Sequence, residues 1–133
     1  MRLELIENDS QKINIVEGML IDIEGLTPDS FYKNEQREVP TACYLGYFDN
    51  ISICVIETFT ENPFELSIVN FGIAEFAQGE GKGRIFISHL ESLAINEGYN
   101  KIRLISHPDA YGFYLKCGYS RYGSGEYGLC KNI

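Results

Sequence analysis

The segment Ala77-Gln78-Gly79-Glu80-Gly81-Lys82-Gly83-Arg84 has the composition of a backbone anion site. Its glycines leave the main chain bare, so N–H groups can approach a phosphate without side-chain obstruction. It lies between an apolar, strand-like run and a helix-like run, where the free amides and dipole of a helix start add positive potential. Spacing separates the phosphate-binding patterns that such a run can represent. A dinucleotide fingerprint G-x-G-x-x-G needs glycine at position 84 or 86, where Arg84 and Phe86 stand. A P-loop needs Ser or Thr after Gly81-Lys82, where Gly83 stands. The pattern that fits is Q-x-x-G-x-G, as Gln78, Gly81 and Gly83.

Other reactive groups are sparse. Cys43, Cys54, Cys117 and Cys130 are widely spaced with no C-x-x-C pair, and His89 and His107 are the only histidines, so no metal site is expected and the thiols are read as reduced. The formal net charge is -8 with no Lys/Arg cluster, which argues against nucleic acid as a partner. Acidity is compatible with a cationic amine substrate and equally with a solubility role. No apolar run approaches the ~18 to 20 residues that cross a bilayer, and Met1-Arg2-Leu3-Glu4 opens no signal-like stretch, so the expectation is a cytoplasmic protein without a membrane partner. The 133 residues, 44% hydrophobic and 23% charged, suit one domain over 1–133 with a single core.

The elements that must position the glycine run follow from periodicity. Residues 2–7 alternate apolar and polar as a half-buried strand does. A helix with poorly marked ends is expected over 13–26, a helix start at Thr27-Pro28-Asp29-Ser30, and a polar loop over 33–40. Thr41 to Phe48 and Ile51 to Phe59 are β-branched and aromatic, with Asp49-Asn50 suited to a hairpin turn. Glu61-Asn62-Pro63 reads as a break, and Glu65 to Ala74 as a central strand. On that strand Val69, Phe71 and Ile73 are expected on one face, and Leu66, Ile68, Gly72 and Ala74 on the other. Phe86, Leu90, Leu93 and Ala94 mark a helix that Gly98 ends. Lys101 to Ser106 reads as a strand, Pro108 opens a short helix that Gly118 closes, and Tyr119 to Tyr122 with Tyr127 to Lys131 form a closing hairpin.

In this setting the Gln78-x-x-Gly81-x-Gly83 turn resembles that of the GCN5-related N-acetyltransferase superfamily. Two later segments resemble the same family in order: residues 94–104, similar to its passage into strand five, and residues 109–119, whose Ala110 and Phe113-Tyr114-Leu115-Lys116-Cys117-Gly118-Tyr119 are similar to its A-x-x-F-Y-x-K-x-G-F/Y segment. The likeness runs from about Glu65 to the C-terminus, while the first half matches only in the order of elements. It implies a three-layer α/β (α+β) fold, with a mixed, mostly antiparallel sheet splayed between strands four and five.

The resemblance also implies chemistry: N-acetyl transfer from acetyl-CoA, by direct attack of a primary amine in a ternary complex without a covalent enzyme intermediate. The backbone of Phe71, Gly72 and Ile73 would pair with the pantetheine arm where a β-bulge parts the strands. Gln78 and Gly79, Glu80, Gly81, Lys82, Gly83 and Arg84 would hold the pyrophosphate, with added charge or a solvated role open for Lys82 and Arg84. Transfer needs a free amine, a donor for the developing oxyanion and a proton for the departing thiolate. The N–H of Ile73 is implied for the second and Tyr114 for the third. Helical geometry alone leaves Tyr111 and Tyr114 equivalent, and the family segment selects Tyr114. The base stays open between Glu75, Glu57 and water, because Ser67 occupies a position where relatives often carry glutamate, and both glutamates read as solvated. Glu75 further stands where the family often has proline. His107, before Pro108, reads as a loop residue without a role, with binding or proton relay as the alternative. A small-molecule amine is the expected acceptor, chosen by loops around Phe31, Tyr32 and Tyr47. A protein N-terminal or lysine acetyltransferase, a noncatalytic acyl-CoA-binding regulatory module and a homodimer stay open.

Overall fold

The computed structural model describes residues 2–6 and 41–133. The helix expected over 13–26, the start at 27–30 and the loop over 33–40 lie outside the described residues. Among those described, the strands are β1 Arg2–Leu5, β2 Thr41–Phe48, β3 Ile51–Asn62, β4 Glu65–Ile73, β5 Lys101–Ile105, β6 Ser120–Arg121 and β7 Gly128–Asn132. Two helices, α1 Lys82–Asn96 and α2 Tyr111–Lys116, are each preceded by a 3-10 turn, Glu75–Ala77 and Pro108–Ala110.

The strands form one mixed sheet in the order β1-β2-β3-β4-β5-β7-β6. Only β4 and β5 run parallel; every other neighbouring pair is antiparallel. Parallel neighbours need a crossover, and α1 supplies it. The β2–β3 connection is as short as the sequence indicates, because Asp49 (φ 49°) and Asn50 (φ 66°) both adopt the left-handed conformation of a two-residue hairpin turn. Strand β3 runs through the expected break to Asn62.

That extension contains a bulge. Thr60 pairs with Leu66 and Asn62 with Glu65, so Glu61 is an extra residue with no partner of its own in the ladder. A second irregularity lies in β4: Glu57 pairs with Asn70 and Thr58 with Ile68, leaving Val69 over. The extra residue inverts the alternation of β4, so the expected faces are corrected: Leu66 and Ile68 share the α1 side with Phe71 and Ile73, while Ala74 lies on the other.

The larger core lies between the sheet and α1. Phe86, Ile87 and Leu90 are at most 1% exposed and pack with Cys54, Ile56, Ile102, Leu104 and Tyr114. Burying a side chain of this size contributes roughly 1.5–3 kcal/mol, which fixes α1 against the sheet despite the absence of a side-chain cap at its start. Leu45, Val55 and Ala74 form a smaller buried cluster on the opposite face. All four cysteines are free thiols.

Candidate active site

Pairing between β4 and β5 runs from Glu65↔Lys101 to Ile68↔Leu104 and stops. Strand β4 continues to Ile73 along β3 alone, so beyond the Val69 bulge its other edge is open. The ladder fixes which groups face that opening. Ala74 N donates to Ile53 O at 2.8 Å, and antiparallel alternation then turns the backbone N–H and C=O of Ile73 and Phe71 away from β3. Gln78 Nε2 donates to Ile73 O at 2.9 Å from that side.

The opening is a cavity of ≈ 680 Å³. Its lining brings together Phe71, Gly72, Ile73, Gln78, Gly79, Gly81, Lys82, Gly83 and Tyr114 of the residues selected from sequence. Glu80 and Arg84 are exposed and do not line it. The glycine run needs its residue type on two grounds. Gly79 (φ 80°) and Gly81 (φ 77°) are left-handed, with open space where a Cβ would stand, so the demand there is backbone conformation. A Cβ at Gly83 would meet the Phe113 ring at 3.3 Å, so the demand there is close approach of α1 to α2. Gly81 caps α1 without any side-chain hydrogen bond, so the first amides of the helix have no side-chain cap where Gly81, Lys82 and Gly83 line the cavity. Lys82 is committed to neighbours: its Nζ contacts the Glu80 carboxylate and lies 4.8 Å from the Phe48 ring centroid.

Structure separates the two tyrosines of α2. Tyr114 is 6% exposed, lines the cavity and lies within an aromatic cluster with Phe71 (6.4 Å), Phe113 (5.1 Å) and Tyr119 (5.8 Å). Tyr111 instead meets Tyr127 edge-on at 5.9 Å and does not line the cavity. Burial pushes the Tyr114 phenol above its ordinary value, with smaller contributions from Cys117 and Cys54. It therefore stays protonated throughout the neutral range. His107 has a positional role that the sequence reading missed: its Nδ1 accepts from Asp109 N at 3.2 Å and caps the turn leading into α2.

Of the carboxylates considered from sequence, Glu57 is not solvated as expected: it is 0% exposed and accepts a 2.6 Å hydrogen bond from Asn70 Nδ2. Position parity would have found this, since Glu57 alternates with the apolar Val55 on one face. Glu75 begins a 3-10 turn. No cluster of His, Cys, Asp and Glu able to hold a metal ion occurs among the described residues, and none of their helices is long and apolar enough to cross a membrane.

A second cavity, ≈ 850 Å³, opens on the other face of the β4–β5 pair. Phe59, Ser67 and Arg103 stand in register across β3, β4 and β5 and form its floor. Glu61, Tyr122, Glu126 and Tyr127 complete its walls. Arg103 is already engaged: it bonds Glu65 at 3.2 Å and stacks on Tyr122 at 5.2 Å. Both cavities share Ile68, Val69, Leu104 and Ile105, so they meet where the strands part. The sequence does not announce this site, because Glu61 reads as part of a break and the β6–β7 loop has no periodicity. Of the aromatic residues proposed around the acceptor, Tyr47 lines neither cavity, and Phe31 and Tyr32 lie outside the described residues.

This geometry has counterparts among known proteins. The chain matches the Acetyltransferase (GNAT) family over residues 18–119. No curated protein matches it significantly. Among solved structures it is similar to GCN5 from Tetrahymena, with a TM-score of 0.80 at 10% identity, covering 100% of this chain and 96% of that one. It is also similar to a GNAT family acetyltransferase from Elizabethkingia anophelis with acetyl-CoA bound, with a TM-score of 0.79 at 15% identity over 99% of this chain and 97% of that one. A spermidine N-acetyltransferase chimera from Vibrio cholerae gives a TM-score of 0.77 at 15% identity, over 99% and 96%. At such identities the structures speak for the fold, and the family match extends over more than half of the sequence; the chain belongs to the acetyltransferase (GNAT) family.

Proposed function

We propose that this acetyltransferase transfers the acetyl group of acetyl-CoA to a primary amine of a small molecule, by direct attack within a ternary complex. The observation that carries the reading is the single cavity joining the open edge of β4, the bare turn at the start of α1 and the buried hydroxyl of Tyr114. Its parts fit the parts of acetyl-CoA. The outward-facing backbone groups of Phe71 and Ile73 match an amide-bearing arm, and the uncapped amides of the glycine turn match a pyrophosphate. The Elizabethkingia anophelis relative contains acetyl-CoA on the same fold. When bound, the thioester supplies the activated acetyl group.

The chain's own groups then act on the developing charges. The N–H of Ile73 faces the opening and donates to the carbonyl oxygen as it becomes negative. Tyr114 donates to the departing sulfur. Its raised pKa makes the phenol a weaker acid than an ordinary thiol, which titrates near ~8.5. Tyr114 thus works mainly as a hydrogen-bond donor that stabilises the leaving group, with full proton transfer completed from solvent. The acceptor approaches from the second cavity, whose tyrosines and carboxylates suit a small cationic amine. The Vibrio cholerae relative is named for such an amine, spermidine.

Thiol release from acetyl-CoA, followed with spermidine, tyramine, lysine and a peptide with a free N-terminus, tests the reading. Turnover with the small amines and little with the peptide is expected. Preference for the peptide would replace the small-molecule acceptor with a protein one. Acetyl-CoA binding without turnover across the set would favour a noncatalytic module.

A further inference from the structure

A carboxylate of β3 is held against Ser67 of β4. Ser67 Oγ donates to Glu61 Oε1 at 2.8 Å. Glu61 reaches it from the neighbouring strand because it is the extra residue of the β3 bulge, and bulges re-aim the side chain that they carry. Ser67 is 8% exposed and forms the floor of the second cavity; Glu61 is exposed and forms part of its wall. The next residue of β4, Ile68, belongs to both cavities. The hydroxyl of Ser67 thereby holds one carboxylate oxygen in the second cavity, one residue along β4 from Ile68, and the Arg103 guanidinium on the floor of that cavity lies within electrostatic reach of the same carboxylate. Other carboxylates are less well placed: Glu57 lines neither cavity, Glu65 is bound to Arg103 and Lys101, and Glu126 lies on the β6–β7 loop.

We propose that Glu61, held by Ser67, receives the proton of the acceptor's ammonium group. The inference rests on the reading of acetyl transfer to an amine given above. Primary alkyl amines titrate near ~10.4, so at pH 7 roughly one molecule in 2,500 has the lone pair that attack requires. Glu61 takes one proton from the ammonium and passes it to solvent. The nitrogen lone pair then forms the C–N bond, the C–S bond breaks with its electron pair on sulfur, and the second nitrogen proton is balanced by protonation of that sulfur. Ammonium and thioester give amide, thiol and one released proton.

The test is the pH dependence of kcat/KM between pH 6 and 10, with acetyl-CoA and either tyramine or spermidine. Glu61→Gln keeps the size of the side chain and an oxygen for Ser67. It is expected to lower kcat/KM about 100-fold at pH 7, with the deficit shrinking towards pH 10 as free amine accumulates. A double variant, Glu61→Gln with Ser67→Glu, moves the carboxylate to β4 and is expected to recover at least tenfold at pH 7. Acetyl-CoA affinity and the unfolding midpoint of Glu61→Gln should equal those of the original protein. A profile within twofold at every pH, or a deficit of constant size across the range, would overturn the role of Glu61 while leaving acetyl transfer intact. Failure of the double variant to recover, with its acetyl-CoA affinity retained, would likewise count against it. Failure of the unaltered protein to bind acetyl-CoA would instead remove the cofactor reading. Binding without thiol release from either amine would remove both.

Discussion

The side-chain amide of Gln78 donates to the backbone carbonyl of Ile73 at 2.9 Å, tying the glycine turn to the open edge of β4. The two regions implied to hold opposite ends of one ligand are therefore mechanically linked. Removing the amide with Gln78→Ala frees the turn. Acetyl-CoA affinity is expected to fall about fivefold, the equivalent of one ordinary hydrogen bond, and titration calorimetry would read it. Unchanged affinity would reduce Gln78 to a solvated residue.

Tyr114→Phe deletes the hydroxyl and keeps the aromatic cluster. Turnover is expected to drop about 10- to 100-fold with acetyl-CoA affinity nearly intact. Because burial raises the Tyr114 pKa, no alkaline break in rate below about pH 10 should belong to it. Tyr111→Phe, at a residue packed on Tyr127, should leave turnover within about twofold. Equal losses in both variants would return the choice between them to an open question of sequence.

Gly81 offers a clean separation of backbone cost from crowding, since its φ is 77° and nothing lies within 4 Å of an added Cβ. Gly81→Ala is expected to lower stability by about 1–2 kcal/mol, and Gly81→Asn by less, because Asn tolerates the left-handed region. Urea denaturation with an unchanged slope would measure it.

Lys131 joins three elements near the site. It bonds Glu91 of α1 at 3.0 Å and the Cys117 carbonyl beyond α2 at 2.9 Å, while Tyr119 bonds the same Glu91 at 3.3 Å. Lys131→Met leaves the Cys117 carbonyl without its side-chain donor and the largely buried Glu91 carboxylate with Tyr119 alone. Stability is expected to fall by about 1–3 kcal/mol in the same denaturation assay.

Buried thiols set an alkaline limit on stability. Burial raises the pKa of Cys43, assisted by Glu57, and of Cys54, assisted by Cys43, above that of an ordinary thiol. The folded state then keeps protons that the unfolded chain releases, so the stability present below pH 9 is lost as pH rises beyond it. Stability should fall above about pH 9, by up to about 1.4 kcal/mol per pH unit for each thiol, and a declining thermal midpoint would read it. Cys43→Ala should make the decline shallower; an identical slope would exclude that thiol.

The elements with strong local signals were legible in the sequence. The Asp49-Asn50 turn, the Phe86 to Ala94 face of α1 and the glycine turn all depend on nearby residues, and each forms where its pattern indicates. The faces of β4 were misread because nothing in Val69 itself announces an extra residue; a bulge depends on the partner strand. Glu61 escaped notice for the same reason. Its value arises from Ser67, a residue on another strand, so counting along one strand cannot reveal it. The burial of Glu57 was legible from its shared face with Val55, and only its partner, Asn70, lies out of reach across the sheet.

The part of β4 beyond Val69 has a consequence for the protein before any ligand arrives. It is a sheet edge located in the interior of the molecule, with the directional bonding capacity that makes outer edges sticky. An extended, amide-bearing ligand would complete the sheet there through main-chain atoms, with little dependence on the side chains beneath. The side chains of residues 71 and 73 pack against Phe113 and α1, so one short stretch keeps its outward backbone open while its side chains serve the fold.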